Sequence, residues 1–277
     1  MKGKLVAEAA GRNLVPCILE LGGKCPAIVD TSADLDWAAK KISFARFNNS
    51  GQTCTSTDYL IVHESIKDRF LEELKCACRR MYGESPNGSD EMGKIITDWH
   101  CDRLKELIDS SGGKVYMGGK NIKKEIKYVE PTLIVDPNPT SKVMNEEIFG
   151  PILPVITFKN IDEVIDIINK KDKPLAVYYF GTQKSPTVDR LLNETSSGAF
   201  LVNEVLMHAV NENYGFGGVG GSGYGRYGGY DGFKNFSNAK SVMIKRALNF
   251  GPFKPMTPPF SQEKREGIRG LAMKEGT

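Results

Sequence analysis

Pro26-Ala27-Ile28-Val29, the stretch from Asp34 to Phe47, and Tyr59-Leu60-Ile61-Val62 together decide the fold class. The first and third are short apolar runs, the first stopped by Asp30-Thr31-Ser32, and both read as strands. Between them Leu35, Ala38, Ala39, Ile42, Ala45 and Phe47 recur at helical spacing, with Ser32 or Asp34 as the cap. Asn49-Ser50-Gly51 ends that helix and opens a loop carrying Cys54. A strand, a helix and a second strand of this kind form the repeating unit of a parallel sheet.

The alternation extends outward in both directions. Upstream, residues 2–12 read as a helix and Pro16 to Leu21 as a short strand ending at Gly22-Gly23. Downstream, the chain gives a charged amphipathic helix from Ser65 to Met81 and another from Asp98 to Ser110. Strands follow at Lys114-Val115-Tyr116 and from Tyr128 to Val135. A helix from Asp162 to Asn169, an apolar strand from Leu175 to Phe180, a helix from Val188 to Glu194 and an extended run from Ala199 to Asn203 complete the series. The expected class is α/β, a mostly parallel sheet covered by helices. Gly215 through Gly232 is too rich in glycine to expect regular structure. The last 27 residues, with Pro252, Pro255, Pro258 and Pro259, read as a loosely attached arm or a disordered tail.

The 277 residues are 40% hydrophobic and 26% charged, the composition of a soluble globular protein. With 37 basic and 34 acidic residues and no long basic block, nucleic acid is a poor partner. No apolar run is long enough to expect a transmembrane segment, and the charged start does not resemble a signal peptide. Six cysteines, at 17, 25, 54, 76, 78 and 101, fall early in a chain too large to need a disulfide framework. The expected location is therefore the reducing cytoplasm. Cys76-Ala77-Cys78 lacks zinc-knuckle spacing and sits in a helical pattern, so no metal site is expected. The triplets starting at Asn87 and Asn193 match glycosylation acceptors only by pattern.

Four side chains stand out for chemistry, each against a plainer reading. Cys54, in a glycine-containing loop with amides around it, suits a nucleophile, although most free cysteines are buried and inert. Glu20, between two leucines before Gly22-Gly23, suits a general base for water; the plainer alternative pairs it with Lys24. Glu147 and Phe149, taken singly, read as a solvated acid and a core aromatic. Gly218-Val219-Gly220-Gly221-Ser222-Gly223 satisfies Gly-x-Gly-x-x-Gly but neither follows a strand nor opens a helix, so phosphate binding is not expected.

Leu19 to Lys24, Phe47 to Cys54 and Glu146 to Pro151 occur in the order and approximate spacing of the aldehyde dehydrogenase superfamily. The chain resembles that family over roughly residues 1 to 245. Asn49-Ser50-Gly51-Gln52-Thr53-Cys54 is similar to the class 3 branch, which includes fatty aldehyde dehydrogenases. Lys173-Pro174-Leu175-Ala176 and Phe216-Gly217-Gly218-Val219-Gly220 add to the likeness. Tyr214-Gly215 departs from the usual Leu-Pro, Glu204 from aspartate and Gly228 from histidine.

The resemblance implies NAD(P)-dependent oxidation of a small-molecule aldehyde to a carboxylic acid. Cys54 would form a thiohemiacetal and then a thioester, Glu20 would activate water, and the Cys54 N–H would hold the oxyanion. It further implies that Glu147 binds the nicotinamide ribose of NAD or NADP, that Phe149 packs beside the nicotinamide, and that Asn203 lies at the substrate end. It implies a catalytic domain truncated at its N-terminus: a nucleotide-binding remnant at 1–20, the catalytic domain at 21–200, a glycine-rich loop and returning segment at 201–250, and a tail at 251–277. A homodimer is compatible with this. So is an inactive fragment that associates with full-length aldehyde dehydrogenase subunits, and a thioesterase needing only Cys54 and Glu20.

Overall fold

A computed structural model describes residues 2–84, 91–244 and 258–272. The chain divides into two units, residues 1–237 and 238–277. In the first, helix α1 (Lys2–Arg12) precedes strand β1 (Leu19–Glu20) and strand β2 (Cys25–Val29). Helix α2 (Leu35–Phe47) and strand β3 (Thr57–His63) follow, with Asp34 capping α2 by accepting from Trp37 N at 3.1 Å. Next come α3 (Lys67–Tyr82), α4 (Asp98–Asp109), β4 (Lys114–Met117), β5 (Ile122–Lys123), β6 (Tyr128–Val129) and β7 (Thr132–Val135). The unit continues through α5 (Lys142–Asn145), β8 (Ile152–Phe158), α6 (Ile161–Asn169), β9 (Ala176–Phe180), α7 (Pro186–Glu194), β10 (Ala199–Val202), β11 (Gly223–Tyr224) and α8 (Gly229–Asn235).

Seven strands form one sheet in the order β10-β9-β2-β3-β8-β7-β4. Every adjacent pair is parallel except β4 with β7. Both faces are covered, as parallel sheets require. Alternate residues divide between the two sides. Ala27, Val29, Leu60 and Val62 meet the apolar faces of α2 and α3, including Ile42, Phe70 and Leu74. Ile28, Ile61, Val177 and Tyr179 meet Leu104 and Leu107 of α4, Val164 and Ile168 of α6, and Leu191 of α7. The α/β class and the mostly parallel, helix-covered sheet follow the sequence reading.

Several details differ from it. The single strand expected from Tyr128 to Val135 is two, β6 in a ribbon with β5 and β7 in the main sheet, because Pro131 offers no N–H at the break. No strand was expected at Ile152–Phe158, yet β8 sits inside the sheet between β3 and β7. The run is apolar and β-branched; Pro154, opposite Ile134, is the residue that speaks against a central strand. The Pro16–Leu21 strand shrinks to Leu19–Glu20, outside the main sheet and paired with β11. The glycine-rich stretch holds regular pieces after all, β11 and α8. In the second unit, α9 (Gln262–Ala272) forms where a loosely attached arm or a disordered tail was expected. Pro252, Pro255 and Asn87 lie outside the described residues.

Candidate active site

Glu20 is placed by glycine. Its partner across the β1–β11 ribbon is Gly223, at φ +125°, where a Cβ would stand 2.0 Å from the Leu19 carbonyl oxygen. No other residue fits that close approach. The Leu21 N–H donates to Ser222 O at 3.0 Å, and the Gly22 N–H to Glu20 Oε1 at 3.0 Å. The stretch that imitates a dinucleotide fingerprint is thus the partner of the strand carrying Glu20.

Cys54 follows a left-handed corner. Asn49, Ser50 and Gly51 all have positive φ, and a Cβ on Gly51 would lie 2.4 Å from Gly150 O. Gln52 ties the corner down, donating to Lys94 O at 2.9 Å and accepting from Ile96 N at 3.0 Å. A turn with Ser56 N on Thr53 O at 2.9 Å then leads into β3, leaving Cys54 half-buried in the turn.

Glu147 lies on the glycine pair. Gly23 N–H donates to Glu147 Oε1 at 3.1 Å, and a Cβ on Gly22 would stand 2.5 Å from the same oxygen. Phe149, two residues on, is 37% exposed at φ +48°.

The electrostatics join the three groups. Burial, the nearby Glu20 carboxylate and Glu147 together push the Cys54 thiol up to about 12, while the Thr55 N–H pulls the other way. The Cys54 thiol therefore holds its proton more tightly than an ordinary cysteine. Burial raises Glu147 to about 7, helped by Asp58 and Glu20 and opposed by Gly23 N–H and Arg46.

Beneath this surface lies a buried ionic triad that the sequence reading missed. Lys24 reaches Asp58 at 2.5 Å and the carbonyls of Val143 and Glu146 at 2.9 Å each. Arg46 reaches Asp58 Oδ1 at 3.0 Å and also donates to Gly150 O. Asp58 accepts from Ile148 N at 3.1 Å. Glu146, Ile148 and Gly150 are therefore each held, and Glu147 and Phe149 alternate between them. The plainer reading that paired Glu20 with Lys24 is not what forms: Lys24 serves Asp58. Three charged residues distant in sequence left no local pattern; a lysine and an arginine inside apolar runs were the available signal.

Asn203 is occupied elsewhere. At φ +56°, it accepts from Gly181 N at 2.9 Å, donates to Gly181 O at 2.8 Å, and takes the Trp37 indole N–H on its carbonyl at 2.9 Å. Near the thiol stand Tyr227, within the field of Glu20 and Cys54, and Phe216, whose ring meets Tyr227 edge-on at 5.4 Å. A cleft of about 410 Å³ opens beside Gly22, Gly23 and Glu147, walled by Lys170, Lys171 and Lys173. A larger cavity, about 590 Å³, runs along β10 instead.

A half-buried thiol, a carboxylate near it and a second carboxylate on a glycine pair are brought together here. Known proteins are similar to this chain over most of its length. The model of the aldehyde dehydrogenase family matches residues 2–242. The 4,4'-diaponeurosporen-aldehyde dehydrogenase of Staphylococcus aureus is 43% identical over 217 residues, 78% of this chain and 47% of that protein. The dimeric NADP-preferring aldehyde dehydrogenase of Rattus norvegicus is 42% identical over 257 residues, 93% of this chain and 56% of that one. Among solved structures, the substrate-bound state of Staphylococcus aureus AldH superposes with a TM-score of 0.84 at 38% identity, covering 97% of this chain and 58% of that chain. The NAD-dependent aldehyde dehydrogenase of Sinorhizobium meliloti gives a TM-score of 0.79 at 30% identity, covering 90% and 50%. The chain spans about half the length of the curated relatives it matches. On sequence, fold and extent of match, the chain belongs to the aldehyde dehydrogenase family.

Proposed function

We propose that this chain carries the nucleophile and base of an NAD(P)-dependent oxidation of an aldehyde to a carboxylic acid. The observation that carries the reading is the nearness of the Glu20 carboxylate to a half-buried Cys54 thiol, whose pKa it raises.

A thiol raised to about 12 does not ionise on its own near neutrality, so its proton needs an acceptor. Glu20 is in contact to take it, and the Thr55 N–H then faces the thiolate. The thiolate adds to the aldehyde carbonyl, and the Cys54 N–H stabilises the oxyanion of the resulting thiohemiacetal. NAD(P), when bound, supplies the hydride acceptor. Once the adduct is oxidised, a thioester remains on Cys54. Glu20, having released its first proton to solvent, takes one from water, and the hydroxide frees the acid and the thiol.

The residues present fit the nicotinamide half of such a cofactor. Gly22 leaves the room that the Glu147 carboxylate occupies, Glu147 offers a carboxylate suited to ribose hydroxyls, and Phe149 presents an open apolar ring. In this reading Asn203, bonded to Gly181, lies near the substrate end of the site. Self-association is part of the proposal: β10 is one of the two edge strands of the main sheet, with β9 as its neighbour, and the rat relative is named dimeric.

The test combines calorimetry of NAD+ and NADP+ binding with NADH or NADPH formation from an aldehyde. Cys54→Ala is expected to abolish turnover, and Glu20→Gln to slow it by about 10²- to 10⁴-fold. Turnover that survives Cys54→Ala sinks the proposal. Turnover that appears only on mixing with a full-length family member assigns the chain the role of an associating fragment.

A further inference from the structure

Cys25 is wholly buried at the start of β2 and takes no part in the reaction above. Its sulfur nevertheless lies between two strands and the reactive turn. It accepts from Ala176 N at 3.3 Å and donates to the carbonyl oxygen of Cys54 at 3.7 Å, lengths suited to a sulfur atom. We propose that Cys25 is a positioning residue for Cys54: its thiol fixes the Cys54–Thr55 peptide so that the Thr55 N–H faces the Cys54 sulfur. The assignment rests on the reading of Cys54 as nucleophile.

The argument is planar geometry. The Cys54 carbonyl and the Thr55 N–H belong to one trans peptide unit and point in opposite directions. Holding the oxygen end against Cys25 aims the hydrogen end away from it, and that N–H lowers the pKa of the Cys54 thiol. The next peptide is anchored too, because the Tyr178 hydroxyl donates to Thr55 O at 2.6 Å. The carbonyls of Cys54 and Thr55 are thus held by side chains of β2 and β9, neighbours in the main sheet. Burial pushes the Cys25 thiol well up, so it keeps its proton and stays a donor.

The other groups facing Cys54 oppose the thiolate. Glu20 on β1, Glu147 before β8 and Cys25 itself lie in its field, as do Tyr178 on β9 and Tyr227 beyond β11. The Thr55 N–H is the contact among them that favours ionisation.

The experiment measures alkylation of Cys54 by iodoacetamide in the full chain, from about pH 6 to 10, read by peptide mass spectrometry with exposed Cys76 as internal reference. Cys25→Ala is expected to slow Cys54 roughly tenfold and to shift its pH profile upward by about one unit, with Cys76 unchanged. Cys25→Ser, which keeps a donor and an acceptor, is expected to stay within about threefold of the parent, and serves if the alanine variant does not fold. An unchanged rate and profile in Cys25→Ala, or a serine variant as slow as that tenfold loss, overturns the assignment. The two readings fail separately: a Cys54 that depends on Cys25 yet supports no aldehyde turnover defeats the reaction and leaves the positioning role intact.

Discussion

Glu20 reaches the thiol on a two-residue strand whose place is set by close backbone contact with Gly223. Glu147 reaches the same centre on a loop whose place is set by three buried charges. In the first region fit is steric, and the residue that matters has no side chain. In the second the fit is electrostatic, and Lys24, Arg46 and Asp58 do the holding from below. Steric placement tolerates no added atom but is indifferent to charge. A buried triad tolerates small changes of shape but fails when one charge is left alone. One centre therefore has two independent supports, which substitution can separate.

The largest effect is expected from Asp58→Ala. It leaves Lys24 and Arg46 facing each other in a dry interior, and burial already lowers the pKa of both. Loss of a buried partner costs about 3–5 kcal/mol, measurable as a fall in the urea midpoint. The companion Cys54 alkylation profile should move as the field of a displaced Glu147 weakens. If Asp58→Ala retains the parent midpoint, the triad does not hold this region. Replacing all three charges together by apolar residues of similar volume is expected to recover much of the loss.

Gly223→Ala is the matching break on the steric side. A Cβ at 2.0 Å from Leu19 O, at a backbone angle that L residues avoid, forces β1 and β11 apart at a cost of about 2–3 kcal/mol. The expected signature is a loss of Glu20 function with Glu147 undisturbed, so cofactor affinity should hold while thioester hydrolysis slows. A variant that retains hydrolysis shows that the ribbon does not place Glu20.

These two supports differ in how far the sequence discloses them. Strands β2, β3 and β9 and helix α2 were legible because their apolar spacing is local and their burial is complete on one or both faces. Glu20, Cys54, Glu147 and Phe149 were legible as family phrases, and the fold brings the first three to one point. Strand β8 was not, because Pro154 lies in it. The role of Gly223 was hidden inside a pattern that mimics a phosphate loop, and the triad was hidden because Lys24, Arg46 and Asp58 sit on different elements. Cys25 read as one more free thiol. Local pattern reveals what a segment is made for; it does not reveal which distant segment completes it.

The smallest effect sharpens the comparison by pH. Glu147 titrates at about 7, above the usual carboxylate range, because it is buried with Asp58 and Glu20 nearby. A group whose folded pKa is raised binds its proton more tightly in the native state. Its contribution to stability is therefore full below the unfolded value near 4.5 and is lost as pH rises through about 7. Glu147→Gln removes the ionisation, so the variant and the parent should have similar urea midpoints near pH 5. The variant should be the more stable by about 1–2 kcal/mol near pH 8, the partly exposed side chain keeping the gain small. Gly223→Ala, which acts through steric overlap and keeps Glu147, should differ from the parent by the same amount at both pH values. Equal pH profiles for the two variants would mean that charge does not distinguish the two sides of the site.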